Sequence, residues 1–306
     1  MNKKIKCIVS ALLTSALLFG ATACAQVSTS SSATTTTAAT VATVAGETTK
    51  ATTATSESPS LSGFLTLTGS TSMSDVGSAL AEAFMTEHPD VTVSVGGNGS
   101  GEGPTAVTDG TAQIGMLSRD LKDSESPDSF DKYIIGFDGI AVIVNTDNSV
   151  KALTAEQITK IFTGEITNWK DVGGEDAIIQ CIGREAASGT RGAFEELMDV
   201  EDVCVYAEEQ NSTGVVKQSV AGNPNAIGYV SLSSVDNSII AVEIDGVSAT
   251  VENVTSGTYT LQRPFVMIVK KGSTDELANA FMEYVFSEAG QQIIGDDGVV
   301  PNPNKS

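Results

Sequence analysis

The sequence predicts an α/β fold with mostly parallel sheets. Segments typical of strands alternate along the chain with segments whose apolar residues recur at helical spacing. Glycine accounts for 29 of the 306 residues and aromatic residues for only 5% of them. That balance suits a glycine-punctuated α/β protein better than a sandwich built on aromatic layers. The length is sufficient for two lobes that each have a hydrophobic core.

The individual elements follow from the two periodicities. Alternating or continuous apolar runs predict strands at 64–68, 91–95, 112–116 and 140–145. The last of these is apolar throughout, as is typical of a strand buried in a parallel sheet. Helical spacing predicts helices at 75–88, from 105, at 154–162 and 192–198, and one long closing helix at 275–292.

The N-terminus predicts export and anchoring. Residues 1–23 combine three lysines with the short apolar run 8–19, as in a signal peptide. Ala-Thr-Ala-Cys at 21–24 resembles the lipobox of bacterial lipoproteins, with Ala21 where leucine is usual. The expectation is a lipidated Cys24 on the outer face of the cytoplasmic membrane, the alternative being ordinary cleavage after Ala-x-Ala. Residues 24–62 are mostly Ser, Thr and Ala and predict a disordered tether.

Charge and cysteines limit the function classes. A formal net charge of −21 excludes nucleic acid and anionic lipid as bulk partners, since the protein repels both. The same charge also fits a simple role in solubility. A small anion can bind only where local donors overcome this field. Cys181 and Cys204 remain in the folded part, where a disulfide and two buried thiols are both compatible with an exported protein.

Three Gly/Ser/Thr-rich turns, at 69–72, 97–101 and 184–191, lie between predicted strands and helices. Such turns present backbone N–H groups at the positive end of a helix dipole, and hydroxyls add donors. Arg184 contributes a planar, permanently charged fork suited to a tetrahedral oxyanion. A single turn of this kind is ordinarily a helix cap. Three of them with an arginine predict an anion site.

An enzyme is not predicted. The only histidine, His88, lies at a predicted helix end, and the sequence has no Gly-x-Ser-x-Gly elbow, P-loop or zinc-ligand spacing. No catalytic residue, cofactor or metal is therefore expected.

Several motifs resemble those of the phosphate-binding proteins of ABC transporters. They are LTAEQI at 153–158, IFTGEITNW at 161–169, REAASGTR at 184–191, NAIGY at 225–229 and LQRPF at 261–265. The resemblance covers about residues 65–301. DGIAV at 138–142 and Ser118-Arg119 are similar to the shorter, Gram-positive-like branch of that family.

The resemblance implies a type II periplasmic-binding-protein fold, with two α/β lobes joined by crossing strands around a hinged cleft. The expected lobes are 63–144 with 263–306, and 145–262. The implied function is capture of inorganic phosphate by a monomer and its delivery to the membrane permease subunits of an ABC importer.

The resemblance also implies a set of phosphate-binding residues: Ser70, Thr71, Ser72, Ser100, Ser118, Arg119, Asp138, Arg184, Ser188, Gly189 and Thr190. The longer branch has aspartate where Ser118 aligns, so the carboxylate that accepts the phosphate proton must come from elsewhere. Asp138 is the candidate, with a structural cap at the hinge as its alternative role. Arg119 is expected either to contact the ligand or to neutralise Asp138.

Other functions remain open at this point. The same fold could bind another oxyanion, such as sulfate, molybdate or tungstate, and competition between ligands separates these cases. An exported phosphohydrolase would turn over phosphate esters. A surface adhesin would not need a closing cleft.

Overall fold

The computed structural model describes residues 61–304. The predicted signal peptide, the lipidation site Cys24 and the predicted tether up to residue 60 lie outside these residues. Within the described part, no helix is both long enough and apolar enough to cross a membrane.

Strands and helices alternate along most of the chain, as the sequence predicts. The first half contains β1 (Gly63–Gly69), α1 (Ser74–Glu87), β2 (Val91–Gly96), α2 (Glu102–Asp109), β3 (Ile114–Leu117), β4 (Phe130–Asn145), β5 (Ala152–Leu153) and α3 (Ala155–Phe162). The second half contains β6 (Gln180–Arg184), α4 (Gly189–Leu197), β7 (Glu208–Gln210), α5 (Thr213–Ala221), β8 (Ala226–Ser231), β9 (Ile239–Ala241), β10 (Glu243–Ile244), α6 (Val251–Thr255), β11 (Gln262–Lys270), α7 (Glu276–Val285), α8 (Glu288–Asp296) and β12 (Val300–Pro301).

One sheet runs through the protein in the order β2-β1-β3-β11-β4-β8-β6-β7. The outer pairs β1–β2, β1–β3, β6–β8 and β6–β7 are parallel, as the strand–helix alternation predicts. The central pairs β3–β11, β11–β4 and β4–β8 are antiparallel. The sheet is therefore mixed, and parallel pairing is confined to its two outer parts.

The prediction of a parallel strand at 140–145 is wrong in the direction of pairing. This segment is the second half of the 16-residue β4, and residues 140–144 pair antiparallel with β8. Its continuous apolar run has another cause, because both faces are buried. Ile140, Val142 and Val144 pack in one hydrophobic cluster, and Ala141 and Ile143 pack in another.

Two separate cores define the two lobes. The first core joins residues of β1, α1 and α7, including Leu65, Phe84 and Phe281. The second core joins residues of α3, α4 and β8, including Phe162 and Tyr229. The strand β4 runs from one core to the other, since Ile135 lies in the first and Ile140 in the second. β11 pairs with β4 along residues 130–139. The exact lobe limits stay a prediction.

The single closing helix predicted at 275–292 is two helices. α7 ends at Val285 and α8 begins at Glu288, because Ser287 caps the second helix by accepting a hydrogen bond from Gly290 N at 3.1 Å. Gly290 lies against the last carbonyls of α7, where a Cβ would be 2.7 Å from Val285 O. A glycine is needed for this close turn.

Both cysteines of the described part are free. Cys181 is buried in the second core, and burial raises the pKa of its thiol to about 12. Cys204 is half-buried and donates to Val200 O at 3.7 Å. Of the two alternatives that the sequence leaves open, the structure contains the free thiols.

Candidate functional site

The first glycine- and hydroxyl-rich turn follows β1 and depends on a close backbone approach. Gly69 has a φ of 136°, and a Cβ there would be about 3.1 Å from backbone atoms of Met116 and closer still to its carbonyl oxygen. Ser70 N donates to Met116 O at 2.8 Å, which holds the turn against the end of β3. Ser70 and Ser72 are buried, and their hydroxyls point towards the other turns.

The second turn packs directly on the first. Gly99 N donates to Gly69 O at 2.9 Å. The next residue, Ser100, is fully buried, and its Oγ accepts from Ser118 N at 3.0 Å and lies 3.3 Å from Ser118 Oγ. Ser70 Oγ donates to the same Ser118 Oγ at 2.9 Å. Three serines, two from the first and second turns and Ser118 from the end of β3, therefore form one buried hydroxyl cluster on the first lobe.

The third turn lies on the second lobe and ends at α4. This helix begins at Gly189, three residues before the predicted start, because Ser188 is its N-cap and accepts from Arg191 N at 3.2 Å. A Cβ on Gly189 would be 2.6 Å from Ser118 Oγ and 2.9 Å from Ser100 Cβ. The N-terminus of α4 is thus in direct contact with the serine cluster of the first lobe.

Hydrogen bonds join the two lobes around this contact. Ser72 Oγ lies 2.7 Å from Thr190 Oγ1, and Thr71 Oγ1 lies 3.2 Å from Thr213 Oγ1. In addition, the backbone N–H of Gly101 donates to Ala187 O at 3.1 Å. The structure therefore brings nine of the eleven predicted site residues into one cluster, buried except for the half-buried Thr71: Ser70, Thr71, Ser72, Ser100, Ser118, Arg184, Ser188, Gly189 and Thr190.

Arg184 is the charged member of this cluster and is only 1% exposed. Glu185 accepts from its Nε at 3.0 Å and from its Nη2 at 2.8 Å, so one edge of the guanidinium is fully paired. Nη1 is directed to the hydroxyls and donates to Thr213 Oγ1 at 3.2 Å. The arginine is fixed in orientation, with its Nη1 end facing the groups that come from the first lobe.

Arg119 lies at the edge of the cluster and pairs with Glu125 through two hydrogen bonds of 2.8 and 2.7 Å. Burial acts to raise the pKa of Glu125, but the hydrogen bonds and charge of Arg119 outweigh it, so this pKa is lowered. The expectation that Arg119 neutralises Asp138 is wrong, since another arginine does so. Ligand contact by Arg119 stays a prediction.

Asp138 pairs with Arg263, its partner in the β4–β11 register. Its Oδ2 accepts from Arg263 Nε at 3.1 Å and Nη2 at 2.9 Å, and its Oδ1 accepts from Ser231 Oγ at 2.7 Å. Burial raises the pKa of Asp138, while the charge of Arg263 and these donors oppose the shift. The contacts favour the structural role at the crossing strands, and ligand contact by Asp138 stays a prediction.

Two residues at the site, Arg263 and Thr213, are not among the residues predicted from the sequence. Arg263 donates from Nη1 to Ser118 O at 3.2 Å and so connects the ion pair to the serine cluster. Thr213 lies in Asn-Ser-Thr-Gly at 211–214, a fourth turn of the same composition, between β7 and α5. That composition was the signal that could have identified Thr213. Arg263 could have been noticed as an arginine at the start of an apolar strand.

The chain is similar to known proteins over most of its length. The family model of the PBP superfamily domain matches residues 21–289. The phosphate-binding protein PstS of Bacillus subtilis is 36% identical over 246 residues, which are 78% of this chain and 81% of the relative. PstS of Pseudomonas aeruginosa is 32% identical over 274 residues, 80% of this chain and 85% of the relative.

A solved structure is similar over the same region. It is a phosphate ABC transporter substrate-binding protein from Clostridium perfringens with bound phosphate, and it has a TM-score of 0.76 and 41% identity. The match covers 78% of this chain and 100% of that protein. The chain therefore belongs to the PBP superfamily and, within it, to the family of PstS phosphate-binding proteins.

Proposed function

We propose that this protein captures inorganic phosphate between its two lobes outside the cytoplasm and delivers it to an ABC importer. The observation that carries the proposal is the buried cluster of serine and threonine hydroxyls from both lobes around the Nη1 end of Arg184. Relatives that are at least 32% identical are named phosphate-binding proteins, and the similar Clostridium perfringens structure contains phosphate.

Phosphate fits the chemistry of this cluster. Hydroxyls and helix N-terminal N–H groups donate to an oxyanion, and the short approach at Gly189 allows these donors to surround it. Arg184 supplies a charge-assisted donor in a site with little water, where such a bond is stronger than at the surface. We assign the ligand-binding roles to Ser70, Thr71, Ser72 and to the further residues Ser100, Ser118, Arg184, Ser188, Gly189 and Thr190.

Local dipoles, rather than net charge, would stabilise the anion. Arg184 is paired with Glu185, and Arg263 is paired with Asp138, so each positive charge at the site has a negative partner. The protein as a whole carries −21. Short-range hydrogen bonds are screened by salt much less than the long-range repulsion from the net charge, so added salt is not expected to weaken phosphate binding.

Titration calorimetry of the purified protein with phosphate, sulfate and arsenate tests the proposal. We expect saturable binding of one phosphate, binding of arsenate as its closest analogue, and much weaker binding of sulfate. Tighter binding of sulfate, molybdate or tungstate than of phosphate would identify a different oxyanion as the ligand. Release of phosphate from a phosphate ester would indicate a phosphohydrolase instead.

We also propose that a lipid on Cys24 anchors the protein to the outer face of the cytoplasmic membrane, with residues 25–60 as spacer. The support is the sequence alone, namely the apolar run followed by Ala-Thr-Ala-Cys. Cys24→Ala is expected to release the protein from membranes and leave its phosphate affinity unchanged. A mature wild-type protein without lipid in mass spectrometry would contradict this proposal.

A further inference from the structure

We infer that Thr213 is a positioning residue of the phosphate site, which links Arg184 to the first turn of the other lobe when the two lobes close. The inference rests on the proposed function. Thr213 is not among the residues implied by the family motifs, and it is the first residue of α5. Its side chain is nevertheless 3% exposed and lies between Arg184 and the first turn of the other lobe.

The hydroxyl of Thr213 has three partners. Arg184 Nη1 lies 3.2 Å away, Ser72 Oγ 3.0 Å and Thr71 Oγ1 3.2 Å. A hydroxyl offers one donor and two acceptor lone pairs, so three bonds use its full capacity. Because a guanidinium only donates, Arg184 takes one lone pair, and the remaining donor and lone pair serve the two residues of the first lobe.

The backbone of Thr213 takes part in the same contact. Its N–H donates to Thr71 Oγ1 at 3.2 Å. The start of α5 is therefore tied to the first turn by the main chain as well as by the side chain. A threonine at this position joins the second lobe's arginine to the first lobe's hydroxyls through one atom, Oγ1.

Separation of the lobes would change the partners of Thr213 but not the other partners of Arg184. Arg184 keeps Glu185 and the carbonyl of Gln210 as partners, because both lie on its own lobe. Thr213 loses Thr71 and Ser72, and its hydroxyl is then free to rotate away from Nη1. Nη1 carries two hydrogens, so the bond to Thr213 in the closed form leaves one for the anion. Closure thus fixes the Thr213 hydroxyl beside the charged donor, which Glu185 already orients, at the moment when the ligand is enclosed.

A purely structural role as a helix cap belongs to the neighbouring residue. Ser212 is the N-cap of α5, and its Oγ accepts from Val215 N at 3.3 Å. The Thr213 hydroxyl makes no contribution to that cap. Ser212→Ala is therefore a matched control, since it weakens the same helix end without removing a contact between the lobes.

The experiment compares wild type, Thr213→Val, Thr213→Ser and Ser212→Ala. Calorimetry gives the affinity for inorganic phosphate, a chase of radiolabelled phosphate gives the release rate, and thermal unfolding without phosphate gives the stability of the unliganded protein. Loss of up to three buried hydrogen bonds predicts about a 10- to 100-fold weaker affinity for Thr213→Val. Most of that change is expected in the release rate, because the contacts form on closure.

The other variants distinguish the interpretations. Thr213→Ser keeps the hydroxyl and is expected to bind within a few-fold of wild type. Ser212→Ala is expected to melt at a lower temperature and to bind phosphate normally. As a second route, Thr71→Val removes a partner of the same hydroxyl, and its effect should be less than multiplicative with that of Thr213→Val.

Two results would overturn the inference alone. One is wild-type affinity and release rate in Thr213→Val. The other combines two findings. The melting temperature of unliganded Thr213→Val falls as far as that of Ser212→Ala, and Thr213→Ser does not restore the phosphate affinity that Thr213→Val loses. If Thr213→Val does not fold, an unchanged release rate in Thr71→Val has the same meaning. Absence of phosphate binding by wild type would instead overturn the proposed function, and the inference with it.

Discussion

Gly189→Ala is the perturbation whose effect the structure specifies most closely. Gly189 is the first residue of α4, and a Cβ there would lie 2.6 Å from Ser118 Oγ and 2.9 Å from Ser100 Cβ. Both neighbours are fully buried serines of the other lobe. The methyl group has no room in the closed form, yet nothing in the second lobe itself prevents alanine at this helical position, where it is the better helix former.

The magnitude follows from the contacts that a wider gap would break. Relief of the overlap requires the lobes to separate by roughly 1 Å at this point, since carbon and oxygen pack no closer than about 3.3 Å. The hydrogen bonds between Ser72 and Thr190, between Thr71 and Thr213, and from Gly101 to Ala187 would then be lost or weakened. At about 1 kcal/mol each, together with disturbed ligand contacts, they predict roughly a 10²- to 10³-fold weaker phosphate affinity.

The assay is calorimetry with phosphate, accompanied by thermal unfolding in phosphate-free buffer. The unliganded Gly189→Ala protein should melt at or slightly above the wild-type temperature. Gly192→Ala is the matched control on the same helix, because its Cβ would meet only the Arg119 side chain, 3.6 Å from Cδ and 4.0 Å from Nε, which are ordinary contacts. It is expected to bind phosphate normally. Wild-type affinity in Gly189→Ala would refute the closed arrangement described here.

Three further predictions concern charged groups. Arg184→Ala should cost roughly 2–5 kcal/mol of phosphate-binding free energy in calorimetry. Arg184→Lys should recover only part of this loss, because the point charge of an ammonium group cannot replace the planar guanidinium. Near-normal phosphate affinity in Arg184→Ala would contradict the role of this arginine in binding. Asp138→Asn should lower the free energy of unfolding by roughly 3 kcal/mol in denaturant titration, since Arg263 would be left buried without its partner. A narrower gap between phosphate and sulfate affinity in that variant, without loss of stability, would assign Asp138 to the ligand instead. The pKa of Glu125 is lowered in the folded state. The ionised carboxylate therefore stabilises the folded protein fully at pH values above the ordinary pKa of about 4.5, and this stabilisation is lost as the pH falls through the lowered pKa. Glu125→Gln should therefore be less stable than wild type by about 1–3 kcal/mol at pH 7, and equal stability of the two proteins across the pH range would show that the pair contributes nothing.

The fold class could be predicted because it depends on local patterns. Helical periodicity located α1 to α4 and the segment of α7 and α8, and strand periodicity located β1 to β3 and the second half of β4. The helices α5 and α6 and the strands β5 to β12 were not predicted from periodicity. The direction of β4 could not be predicted, because a strand buried on both faces reads as a continuous apolar run whichever way its neighbours run. The break between α7 and α8 depends on the cap at Ser287 and on the close packing of Gly290 against the end of α7. The spacing of the apolar residues does not change at this break, so the sequence indicates a single helix.

The candidate site could be predicted where turn composition and family motifs coincide. The three turns at 69–72, 97–101 and 184–191 do meet, because the ends of parallel strands bring their turns to the same edge of each half of the sheet. The choice of ion-pair partner could not be predicted. Arg119 is nearer to Asp138 in the sequence, but Arg263 faces it across β4 and β11. Register between distant strands decides such a pairing.

A crystal structure of the protein grown with phosphate would show directly whether the anion binds between the two lobes. We expect one tetrahedral anion enclosed between the lobes, within hydrogen-bond distance of Ser100 Oγ, an Nη1 hydrogen of Arg184 and the N-terminal N–H groups of α4. A phosphate bound elsewhere, or a structure grown at saturating phosphate with none between Ser118 and Arg184, would contradict this expectation.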